Sequence, residues 1–123
     1  MIPVILFAIV YGLHEANIYA KGYEGGHYIL LNKFSLYHVL MATLFIIFSS
    51  SIVGWTFFKY IPIFAVIEDI FYWIGMKLLK KPDKLDENSW VNFGFGGFKL
   101  FNQWIPNTYW LWLAVYAVLE YLF

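Results

Sequence analysis

The sequence predicts an all-α integral membrane protein, a small bundle of four transmembrane helices with an aromatic, Gly-rich interfacial or re-entrant segment before the last. Three observations predict it. Of 123 residues, 62% are hydrophobic and 24% aromatic, and only 13% are charged, whereas an average soluble domain is about 45–50% apolar and about 25% charged. A chain this short has too little interior to hide that much apolar surface. The apolar residues also fall into runs near the length of about 20 residues that a helix needs to cross a bilayer.

Taken in order, the runs place spans at residues 2–19, 34–58, 61–79 and 105–123 of one polytopic domain covering residues 1–123. The opening "MIPVILFAIVYGLHEANIYAKG" lacks a basic leader and a small-residue cleavage site, so it reads as a retained first span. Spans two and three are joined by "FFKYIP", whose Pro62 suits a first helical turn. So short a connection makes them antiparallel neighbours. Before the fourth span, "NSWVNFGFGGFKLFNQWIPN" is broken by Gly94, Gly96 and Gly97 and flanked by Trp90 and Trp104. Such a stretch suits an interfacial loop or a re-entrant segment closing over a site. Its "GFGG" lacks the spacing of a phosphate loop. Lys21, Lys33, Lys77, Lys80, Lys81, Lys84 and Lys99 lie in or beside the first and third loops, against Lys59 alone in the second. The positive-inside rule then puts the Lys-rich loops in the cytoplasm and both termini outside.

Formal net charge is zero, which gives no reason to expect nucleic acid as a partner. Cysteine is absent, which excludes disulfides, thiolate metal sites and a cysteine nucleophile. A bundle this small has a thin core, so membrane lipid and either further copies of the chain or partner membrane subunits are the expected partners.

Carboxylate and imidazole side chains inside the runs carry the functional signal. They are His14 and Glu15 in the first, His38 in the second, Glu68 and Asp69 in the third, and Glu120 near the end of the fourth. An ionised carboxylate at mid-bilayer costs about 2.5 to 3.5 kcal/mol, and such residues face the bundle interior. Ser35, His38, Ala42, Phe45, Ser49, Ile52 and Thr56 recur at intervals of three and four, which puts His38 on a small, hydroxylated helix face suited to helix contact. At about 1.5 Å of rise per residue, the histidines, Glu15 and the carboxylate pair reach one layer only if the third span stops near Met76. Glu120 lies at the other end, and His27 in the polar first loop reads as solvated.

Two imidazoles and three carboxylates from three helices are the donor vocabulary of iron, manganese or zinc sites. A divalent cation would also neutralise the uncompensated carboxylates. The expected function is a metal-dependent enzyme, a hydrolase or oxidoreductase, acting on a lipid or other apolar substrate. Its ligands would be His14, His38, Glu68 and Asp69, with Glu15 as ligand or general base and Tyr72 as proton donor or oxyanion partner. The alternative is a proton- or ion-conducting element or a small subunit of a larger membrane complex. A haem-b subunit held by His14 and His38, or a scaffold, ranks lower. The run Ile67-Glu68-Asp69 resembles the carboxylate pairs of lycopene-cyclase-type membrane domains but lacks their preceding proline. No residue role is carried over from so short a match.

Overall fold

The computed structural model describes residues 1–20, 28–30, 34–81 and 85–123. Lys21, His27, Lys33 and Lys84 lie outside the described residues. Four helices dominate: α1 (Ile2–Ala20), α2 (Leu36–Val53), α3 (Ile61–Leu78) and α4 (Asn107–Leu122). Short antiparallel strands β1 (Tyr28–Leu30) and β2 (Phe34–Ser35) precede α2, and the hairpin β3 (Gly97–Leu100) and β4 (Gln103–Pro106) precedes α4.

Helices successive in the chain alternate in direction. Gly12 meets the α3 backbone at Glu68 and Tyr72, and Ala16 meets Gly75, so α1 and α3 run parallel. His38 reaches Glu15 while Phe48 stacks on Phe7, which makes α2 antiparallel to α1. Tyr109 reaches Asp69 while Tyr116 lies near Tyr60, which makes α4 antiparallel to α3.

The α1–α3 contact sets the geometry of everything above it. A Cβ at Gly12 would overlap the Glu68 carbonyl oxygen, and one at Gly75 would stand 2.6 Å from the Ala16 Cβ. Two glycines and an alanine therefore let the backbones nearly touch, as small residues do at close helix crossings. Below the crossing, Phe7, Phe45, Phe48 and Phe64 form an aromatic plug, with Phe45 and Phe64 stacked at 3.9 Å. On the other side Val66, Val91 and Tyr109 make a second core, joined by Leu85, Ile105 and Leu113.

Several sequence expectations are corrected here. Among the described residues no single helix is long and apolar enough to cross a membrane, so the four-span, multi-pass placement with both termini outside does not stand. At 16 residues, α4 is about 24 Å long, short of a hydrocarbon core of about 30 Å. The 18 residues of α3 include Glu68, Asp69 and Lys77. The expected second span breaks at Gly54, whose φ of 76° turns α2 into a 3-10 helix over Gly54–Tyr60. Among the described residues only α2 and the piece leading through α3 reach the needed length and apolarity together, and they are bent by 117° at the break.

The segment expected to be interfacial or re-entrant contains a regular hairpin instead. Leu100 pairs with Gln103, and the two residues between them, Phe101 and Asn102, both have positive φ (50° and 63°). That is the left-handed two-residue turn whose twist matches paired strands. Phe101 gives up its side chain to solvent there, 95% exposed.

Candidate functional site

The close α1–α3 approach brings two carboxyl-bearing turns together. Glu15 stands on α1 one turn beyond Gly12 and is buried, as is Asp69 on α3. Glu68 lies beside Glu15, and the two carboxyl groups share a hydrogen bond. From α2, the His38 ring Nε2 lies 3.0 Å from Glu15 Oε1. From α4, the Tyr109 hydroxyl donates to Asp69 Oδ2. All four helices thus contribute to a single polar cluster, α3 with two carboxyl groups and each of the others with one group.

This cluster forms part of the wall of a cavity of about 390 Å³, within the range of small-molecule sites. Glu15, His38, Glu68, Asp69, Tyr72 and Tyr109 line it together. Most of the remaining wall is apolar, including Phe45, Phe64, Val91 and Trp112. One carboxyl atom, Glu68 Oε1, is buried without a hydrogen-bond partner among the described residues.

The three carboxyl groups differ in proton affinity, and each difference has a cause. Burial raises the Glu68 pKa well above the ordinary carboxylate value, and its hydrogen bond to Glu15 and the charges of Glu15 and Asp69 push the same way. Burial also acts to raise Glu15. There the hydrogen bonds from Glu68 and His38, with the positive charge His38 carries when protonated, win and hold it below the ordinary value. Asp69 is pushed up to about 6 by burial and by the Glu15 charge, against the opposing hydrogen bond from Tyr109. Trp73 also favours the Asp69 carboxylate, through an attraction looser than a regular hydrogen bond, since its Nε1 has no partner within bonding distance among the described residues. Burial and the adjacent Asp69 charge raise the Tyr109 phenol, which stays a donor.

Of the residues singled out from sequence, Glu15, His38, Glu68, Asp69 and Tyr72 are brought to this cavity. His14 is exposed and stands off it, because neighbours on a helix diverge by about 100°. The expected metal-binding group is a correction: among the described residues no three His, Asp or Glu side chains are placed to hold a metal ion. Glu15 is occupied by His38 and Glu68, and Asp69 by Tyr109. Glu120 lies far from the cluster and pairs with Lys59 at 3.3 Å.

Tyr109 was not foreseen. In "NTYWLWLAVY" it is one aromatic among several, and only antiparallel packing of α4 on α3 aims its hydroxyl at Asp69. Compared with known proteins, the chain matches no family model, no curated protein and no solved structure.

Proposed function

We propose that the chain is an enzyme that moves protons on an uncharged, apolar substrate held in the 390 Å³ cavity, with Glu68 as general acid and Glu15 as general base. One observation carries this proposal: carboxyl groups in contrasting surroundings face a cavity that is otherwise largely apolar. Pairs of titratable groups whose environments push their proton affinities apart are the usual mark of acid and base roles.

Each group has a task in such a step. Glu68, whose hold on its proton burial strengthens, gives that proton to a double bond or oxygen of the substrate. Positive charge then develops in a dry site, where a nearby carboxylate stabilises it strongly. Asp69 is that carboxylate at pH above about 6, oriented by Tyr109. Glu15 removes a proton from a neighbouring carbon, steadied by His38. The hydrogen bond between Glu15 and Glu68 lets the captured proton return to its starting place. The balance is an isomerisation, with one proton added, one removed and no electrons exchanged. Tyr72, also on the cavity wall, offers a hydroxyl to a substrate oxygen. Many large apolar side chains are exposed on α2 and α4, among them Leu40, Leu44, Ile47 and Trp110. They favour a lipid phase as the source of the substrate.

The test uses deuterated water. Incubating the protein with mono- and polyunsaturated lipids should place deuterium on carbon in one lipid class, detected by mass spectrometry, and Glu68→Gln should abolish it. No deuterium uptake from any of these lipids, while they still bind the cavity, refutes the proposal.

A further inference from the structure

We propose that a second hollow, at the C-terminal end of α3 and outside the acid cluster, binds a phosphate-type oxyanion. It encloses about 290 Å³, and its wall includes Lys77, Lys81, Asn102 and Gln103 between the rings of Trp73 and Trp104. No acidic side chain among the described residues lines it.

The backbone explains why the two lysines meet there. After α3 the amide of Lys80 bonds to the Lys77 carbonyl and that of Lys81 to the Met76 carbonyl, both at 3.0 Å. This is the paired closure that ends many helices with a left-handed residue. Here that residue is Lys80, with φ of 57°, where glycine would cost less. The reversal folds Lys81 back toward the side of Lys77. Across the hollow, the left-handed pair Phe101 and Asn102 holds Asn102 and Gln103 at the hairpin tip.

The cation pair has a simpler explanation, since lysines near a helix C-terminus offset the negative end of its dipole. That accounts for Lys77 but not for an enclosed space completed by a separate hairpin. The fixed hydrogen bonds lie elsewhere: Trp104 Nε1 donates to Asn92 Oδ1 at 2.9 Å, which locks one wall in place. Gln103 Nε2 makes only a long 3.3 Å bond to the Trp104 carbonyl, so it can turn toward a ligand. Two ammonium groups and two carboxamides supply converging donors and a charge of +2, which suits a tetrahedral oxyanion. Free phosphate and a phosphorylated lipid headgroup share that chemistry. The inference does not depend on the proton-transfer role, because Trp73 separates the hollow from Asp69.

Titration calorimetry at fixed ionic strength tests it with two ligands, inorganic diphosphate and phosphatidic acid vesicles, the latter compared with phosphatidylcholine vesicles. Saturable binding to either is expected, and which one binds identifies the source. Lys77→Gln with Lys81→Gln should weaken it at least tenfold at an unchanged melting temperature, which is expected because both side chains are exposed. Lys59→Gln, at the opposite end of α3, should leave it unchanged. Absence of binding to both ligands, or binding indifferent to the double substitution, overturns the proposal.

Discussion

Two carboxylate settings, one beside the start of α3 and one at its middle, show what position does to the same chemical group. Near its start, Glu120 meets Lys59 at 3.3 Å at the surface, with the carboxylate side chain 47% exposed. Further along, Glu15, Glu68 and Asp69 crowd together behind Gly12, with no lysine among the described residues of the cavity wall. At the surface water does most of the solvating, so the pair matters little. Inside, each charge must be balanced by a proton, an imidazole or a phenol. What separates the two is the α1–α3 crossing, which costs the chain two side chains and in return excludes water from three acids.

Removing the crossing should have the largest effect. Gly12→Val places a branched side chain against the Glu68 carbonyl, a clash beyond ordinary overpacking costs of about 1–3 kcal/mol. Thermal denaturation should show loss of cooperative folding. A variant that melts like the parent would mean the helices are not held as close as described.

Next comes the pH dependence of Asp69. Its folded pKa of about 6 lies above the usual 3.8, so the folded state binds its proton more tightly than the unfolded state does. The resulting stabilisation is complete below about pH 4 and is lost as pH rises through 6. The shift of about 2 units corresponds to about 3 kcal/mol. Asp69→Asn should therefore gain about that much relative to the parent between pH 4 and pH 8, by denaturant titration. Glu15 is lowered and acts with the opposite sign, stabilising above the unfolded pKa and losing that contribution as pH falls. A flat difference between Asp69→Asn and the parent would remove the contrast between the two settings.

Tyr109→Phe deletes a hydrogen bond to a buried carboxylate, worth about 1.5–3 kcal/mol. It should also drive the Asp69 titration higher still, since that bond lowers it, a shift that NMR of the labelled carboxyl can follow. Smallest of all should be Glu120→Gln, which leaves the melting temperature within measurement error at moderate salt.

How much of this was legible depends on the kind of signal. Glu68 and Asp69 stand out in any apolar run, and the spacing of His38 with Phe45 and Ser49 marks a helix face, of which Phe45 and Ser49 are buried. Their meeting with Glu15 rests on Gly12 and Gly75, whose role appears only when both helices are placed. Apolarity also overstated element lengths. It ran through Gly54, where a left-handed residue breaks α2, and through Ile105 and Pro106, which belong to β4. The hairpin was hidden because its turn is Phe101-Asn102 rather than the glycine-bearing pair that signals such turns. The expected metal ligands rested on donor type alone. Donor type does not reveal that His14 faces outward, or that hydrogen bonds already occupy Glu15 and Asp69.

The central claim is that Glu68 keeps its proton while Glu15, beside it, has lost its own. Infrared spectroscopy reads this directly through the carbonyl stretch of a protonated carboxyl group. At pH 7.5, above the Asp69 titration near 6, one such band in a buried environment should be present. Glu68→Gln should remove it and Glu120→Gln should leave it in place. No protonated band at that pH, or one that survives Glu68→Gln, would contradict the account.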